Sequence, residues 1–170
     1  MNRELHMSRK LIVAVALVAA MFPLVGTAAD ADSGPQEAVL ATVDAALDAA
    51  GSGDIKTMRT EYLPNCSFVD EFAPYQWSGP DSMDAYFASA AQMYKQTGMT
   101  GTKVSRGSPK FVYTTSTSAY VVVPLKVQAT VKGKPYRASG TLVFALQHTD
   151  AGWKIAMQTW AKATENISPN

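Results

Sequence analysis

After Gly101 the chain changes character. β-branched and aromatic residues dominate, and turn signals recur at "TSTS", "KGKP" and "HTDAG", which divides this part of the chain into strands. Four are predicted, over 102–114, 118–131, 135–148 and 152–163. In the second, Val121, Val123, Leu125, Val127, Ala129 and Val131 alternate with Lys126, Gln128 and Thr130. One face therefore belongs to a core and the other is mostly wet. Pro124 has no amide to give to a ladder, so it predicts an edge, a bulge or a strong bend at that point.

The cover for that apolar face lies earlier in the chain. Pro35, at a first helical position, opens "PQEAVLATVDAALDAAG", where Val39, Val43, Ala46, Leu47 and Ala50 recur at helical spacing before Gly51. This spacing predicts an amphipathic helix. "GDIKTMRTEYLP" predicts a shorter one, with Asp54 as N-cap, Ile55, Met58 and Tyr62 on one side and Pro64 as terminator. "CSFVDEF" and "YQWSG" predict two short strands around Ala73 and Pro74. In "GPDSMDAYFASAAQMYKQTG" a third helix follows, with Met83, Phe87, Ala90, Ala91 and Tyr94 as its buried stripe. Helices followed by a long meander define an α+β architecture in the order α-α-β-β-α-β-β-β-β, a curved antiparallel sheet wrapped around three helices with a concave interior.

The first residues stand apart from this domain. "MNRELHMSRK" is a basic n-region, "LIVAVALVAAMFPLVG" an apolar core broken by Pro23 and Gly26, and "TAADA" offers small residues for a cut. The apolar run is shorter than the roughly 20 residues that span a bilayer. It reads as a cleaved signal peptide over 1–29, with the cut after Ala29 or Ala31, and the mature chain is expected to be secreted or periplasmic, with no membrane association after cleavage. A short linker over 30–34, one domain over 35–163 and a flexible tail over 164–170 complete the organisation. Formal net charge is +1 with acids and bases interspersed, so no footprint for nucleic acid or an anionic membrane is visible. The single cysteine, Cys66, leaves no internal disulfide.

One acid lies among apolar neighbours. By strand parity Cys66, Phe68, Asp70 and Phe72 share a face. Asp70 then acts either as a base or hydrogen-bond acceptor in a desolvated pocket, or bonds to amides of the "EFAP" turn. Glu71, on the opposite parity, is expected in solvent. Tyr75, Trp77, Tyr86, Phe87, Tyr113 and Met157 suit the lining of a moderately apolar pocket, though each could equally fill the core. In the last strand Trp153, Ile155 and Met157 share one face and Gln158 and Trp160 the other. That places Trp160 on the outer sheet surface, covered by a partner or by its own chain. His148, beside a hairpin turn, lacks the companions that a zinc site or a catalytic triad needs, and no phosphate-cradling glycine loop follows a strand. Neither a metal nor a cofactor is expected. "NCS" and "NIS" match a glycan acceptor pattern.

The succession "LDAAGSGDIKTMRTEYLPNCSFVDEF", "WSGPDSMDAYF" and four strands ending in "GWKIAMQTWAK" resembles the nuclear transport factor 2-like superfamily. SnoaL-like polyketide cyclases and ketosteroid isomerases belong to it, and the resemblance covers the mature chain almost end to end. It implies a cone-shaped, cystatin-like fold and a homodimer through the sheet face near Trp160. In the ketosteroid isomerases an aspartate base works beside a tyrosine and a protonated aspartic acid that bind an oxyanion. Carried across from Gly53 and Asp54, the base falls on Asp70, but the two donors fall near Ala46 and Ser139. Losing even one such donor typically costs a factor of about 100 or more in rate, so steroid isomerisation is not expected. The same alignment turns Ser139 inward, as a ligand-binding residue, although 138, 140, 142, 144 and 146 are the more apolar set. A bulge would reconcile the two.

Two functions fit these residues. One is an exported module that holds a small apolar ligand, dimerises, or does both. The alternative is an isomerase, cyclase or lyase with Asp70 as general base and a pocket tyrosine, Tyr113 or Tyr86, polarising the substrate. The enzyme needs a second polar group near Asp70.

Overall fold

The computed structural model describes residues 33–167. The segment read as a signal peptide and the last three residues of the expected tail lie outside the described residues. Helix α1 covers Ser33–Ser52 and α2 covers Ile55–Glu61, with strands β1 (Tyr62–Val69) and β2 (Gln76–Ser78) next. Helix α3 (Ser82–Thr97) leads into β3 (Met99–Arg106), β4 (Phe111–Thr114), β5 (Ser118–Val131), β6 (Lys134–Thr149) and β7 (Gly152–Ile167). This is the expected α+β fold, three helices against one curved, open sheet. The strands run in the order β2-β1-β7-β6-β5-β3, and β4 pairs with β5. β1 runs parallel to β7, so the sheet is mixed rather than wholly antiparallel.

Local signals placed some boundaries and missed others: α2 ends at Glu61, so that Tyr62 and Pro64, expected on that helix and at its end, belong to β1. The Asp54 carboxylate accepts the Thr57 amide at 3.0 Å and caps α2 as expected. α1 begins before Pro35 and passes through Gly51 to Ser52. Pro35 is tolerated because first-turn amides have no partner within the helix, and the left-handed stop comes at Gly53, with φ of 75°. β7 continues pairing to Ile167 opposite Tyr136, so 164–167 extend the sheet instead of fraying.

The strand predicted over 102–114 is two strands. Arg106 lies opposite Leu125 and Phe111 opposite Val122, so four residues on one side face two on the other. Pro124 sits at that place, and its carbonyl accepts the Gly107 amide at 2.9 Å. With no amide of its own to return, Pro124 cannot complete the ladder, and the partner strand loops out as the bulge that its position predicted.

The densest packing lies under α1. Val39 and Val43 from that helix share one core with Val121, Phe144, Leu146 and Ile155, all almost fully buried, and each such side chain contributes about 1.5–3 kcal/mol by leaving water. α3 lies against β1, β2 and β3, the strands toward the two edges, and thereby roofs the middle of the sheet. Its inward stripe is Met83, Tyr86, Ala90 and Met93; Ala91, expected in the stripe, is exposed.

Candidate functional site

The roofed space is a cavity of about 210 Å³ between α3 and the sheet. Strand parity brings Asp70 to it. Cys66 and Phe68 are buried on the inner face of β1, and Asp70, one residue beyond the strand end, continues the alternation into the cavity wall. The turn that follows is closed by the Asp70 amide donating to the Tyr75 carbonyl at 3.1 Å and the Tyr75 amide to the Phe72 carbonyl at 2.8 Å.

The Asp70 side chain bonds both to the turn and to a side chain of α3. Oδ1 accepts the Glu71 amide at 2.7 Å, a bond within the turn, while Oδ2 accepts the Tyr86 hydroxyl at 2.8 Å inside the protein. Burial pushes the Asp70 carboxyl above its ordinary value, against the hydrogen bonds from Tyr86 and Glu71 and the charge of Lys162, which pull it down. Tyr86 is held in place by rings. Phe68 stacks on it at 4.6 Å, Trp77 meets it edge-on at 5.1 Å and Phe72 lies 5.7 Å away. Burial, and then the Asp70 charge, push its phenol well above the ordinary value. Tyr86 therefore stays a protonated donor at neutral pH.

The far wall depends on two irregularities in β7. Ile155 pairs with Leu146 and Met157 with Ala145, which leaves Ala156 as an extra residue. Inward parity passes from Trp153 and Ile155 to Gln158 and Trp160. The expected assignment of this strand is thereby corrected: Gln158 and Trp160 line the cavity, and Met157 turns to the outer face opposite Ala145 and Ser67. Trp160 does not mark an outer contact surface. Gly140 makes room for it, since a Cβ there would lie 2.8 Å from the end of the indole ring. The Gln158 side-chain oxygen accepts from the buried Tyr62 hydroxyl.

A second bulge, at Ala163, brings both Lys162 and Glu165 to inward positions, opposite Gly140 and Ala138. Lys162 pairs with Glu71 at 2.7 Å and also with Glu165. Burial would lower its ammonium, but the two carboxylates outweigh that and hold it above its ordinary value. Glu71 is exposed, as expected, and its pairing with Lys162 at the cavity edge ties the turn after β1 to β7.

Of the residues singled out from the sequence, only Asp70 and Tyr86 meet in the cavity. Trp77 and Phe87 pack in the ring cluster outside its lining, with the Trp77 indole NH donating to Ser89 at 3.1 Å. Tyr75, on the turn with φ of 74°, is 61% exposed, and Tyr113 is 63% exposed on the outer sheet face. Ser139 also points outward, sharing a hydrogen bond of 2.7 Å with Thr164. β6 keeps its apolar parity, and the bulge that would have turned Ser139 inward lies on β7 instead. Parity reasoning missed Gln158 and Trp160 because nothing local to "KIAMQTW" marks Ala156 as unpaired.

The SnoaL-like domain pattern matches residues 39–160, most of the described chain. The chain belongs to the SnoaL-like domain family. No curated protein sequence matches it. Solved structures with the same fold include a ketosteroid isomerase-like protein from Erwinia carotovora atroseptica SCRI1043, at 19% identity and a TM-score of 0.65 over 78% of this chain and 99% of that one. The CaMKII hub of S. rosetta aligns at 21% identity and a TM-score of 0.62 over 78% of this chain and 99% of the hub. A hexachlorocyclohexane dehydrochlorinase aligns at 8% identity and a TM-score of 0.64 over 79% and 92% of the two chains. At these identities the likeness is one of fold, and one fold serves different functions, so the site itself must carry the function.

Proposed function

We propose that this SnoaL-like chain is an exported protein whose cavity holds a small, largely apolar ligand that gives a hydrogen bond to Asp70. The observation that carries this reading is the ring-lined cavity under α3 with the half-buried Asp70 carboxyl, already held by Tyr86, on its wall. Small cavities of this polarity bind ligands through area on the walls and orientation from a few polar groups. About 210 Å³ exceeds the roughly 150 Å³ that admits benzene, so a compound of one ring with a short substituent fits. Calorimetric titration with single-ring alcohols and amines tests it. Binding is expected in the natural protein and should disappear in Ala90→Phe, which fills the cavity from α3. Equal heats from the natural protein and from Ala90→Phe would sink the reading.

A catalytic reading is favoured by the same dyad and by the fold shared with a dehydrochlorinase. In it Asp70 takes a proton from a carbon of the bound molecule, Tyr86 fixes the carboxylate, and Gln158 is the further polar group on the same cavity. Proton exchange from deuterated solvent into a bound ligand, lost in Asp70→Asn, is its signature. Unchanged ligand after long incubation would leave binding alone.

Export predicts a mature N-terminus at Asp30 or Asp32, read by mass spectrometry of the exported chain. A homodimer through the sheet face would rest on Phe111, Tyr113 and Tyr120, whose rings are exposed and adjacent there. Sedimentation should then show Tyr113→Lys shifting the protein to monomer.

A further inference from the structure

We propose that the ligand of this cavity is an organic cation, a protonated amine or quaternary ammonium group carried on about one ring, an inference that rests on the cavity being a ligand site. Charge points this way first. Asp70 and Glu71 line the cavity and Glu165 stands at its edge, with Lys162 as the cation paired to the latter two. Lys162 is thus engaged by Glu71 and Glu165, while among the described residues the Asp70 carboxylate is bound by two neutral donors, the Tyr86 hydroxyl and the Glu71 amide. A carboxylate has about four lone-pair sites, so Asp70 keeps acceptor capacity toward the interior. A neutral ligand leaves that half-buried carboxylate sharing the charge of Lys162 with Glu71 and Glu165, and an anion adds repulsion from it. A cation removes the deficit.

The walls agree with the charge. Phe72, Tyr86, Tyr94, Tyr136 and Trp160 contribute rings to one small space. Ring faces attract a cation within about 6 Å of their centroids, most strongly when water is excluded. Met93 and Met99 add polarisable thioethers to the same lining. Rings around an acid are the arrangement that recognises ammonium groups, whereas a site built for an apolar molecule alone gains nothing from the acid.

The test compares three compounds of one size, 2-phenylethylammonium, 2-phenylethanol and phenylacetate, by calorimetry on the mature protein. The cation should bind at least about tenfold tighter than the alcohol, and the acid should give no heat. In Asp70→Asn, a near-isosteric change that leaves the rings in place, the cation's advantage over the alcohol should fall several-fold. Ala90→Phe should abolish both. Equal or tighter binding of the alcohol in the natural protein overturns the cation inference while leaving the cavity as a ligand site. No heat from any of the three overturns the inference and the cavity reading together. A cation preference undiminished in Asp70→Asn also overturns it, since the charge responsible then lies elsewhere.

Discussion

Along the inner face of β5 and β6, Val121, Phe144 and Leu146 share a dry core with α1, whereas Leu125, Ala138 and Leu142 on the same two strands face an open cavity under α3. The strands are continuous between the two regions, so the difference lies in the helices. α1 offers Val39 and Val43, which fill the space above the sheet. α3 rests toward the sheet edges and presents Ala90 across from Ala138, two small side chains on opposite walls. One region is filled by side chains, and the other leaves a cavity.

The strongest way to break this contrast is by truncation. Phe144→Ala should cost about 3–5 kcal/mol and Leu142→Ala about 2 kcal/mol, the low end for a leucine, because the second change only widens a space that already exists. Urea denaturation of both variants decides it; similar losses would mean that the two regions are equally packed. Next is Gly140→Ala. The added methyl would meet the Ala161 carbonyl and the Trp160 ring, so a loss of about 1–3 kcal/mol is expected. It should come with altered ligand heats, while a variant as stable as the parent would show that Trp160 has room to spare.

Tyr86→Phe sharpens the contrast at the polar wall. Losing its hydrogen bond should cost about 1 kcal/mol and, because that bond lowers the Asp70 carboxyl, raise the Asp70 titration midpoint seen by NMR. A midpoint that stays put would place Asp70 under other control. The smallest effect concerns pH. Burial raises the folded Asp70 carboxyl above its unfolded value, so its favourable contribution is complete below the unfolded value and is lost as pH rises through the folded one. Asp70→Asn, which cannot ionise, should therefore be the more stable protein at neutral pH and lose that advantage on acidification to about pH 3. Thermal melts at the two pH values check the sign.

Much of this was legible in the chain. Alternation in "VVVPLKVQATV" gave the inner face of β5, Pro124 marked an irregularity whose form, an edge, a bulge or a bend, stayed open, and the parity of "CSFVD" delivered Asp70 to the cavity. Those signals are local: a period of two, a missing amide and a capping side chain each act within a few residues. The rest of the site was not local. Gln158 and Trp160 face inward only because Ala156 is unpaired, and Lys162 and Glu165 share the inner face only because Ala163 is unpaired. An extra residue in a strand leaves no mark on the alternation before it, and it reverses every side chain after it. Which residue slips out is settled by hydrogen-bond register against β6 and by the fit of an indole over Gly140. Sequence alone therefore determined the helices, most of the strands in their order and the placing of Asp70. Tertiary pairing decided which half of β7 looks into the protein, and with it what stands opposite the acid.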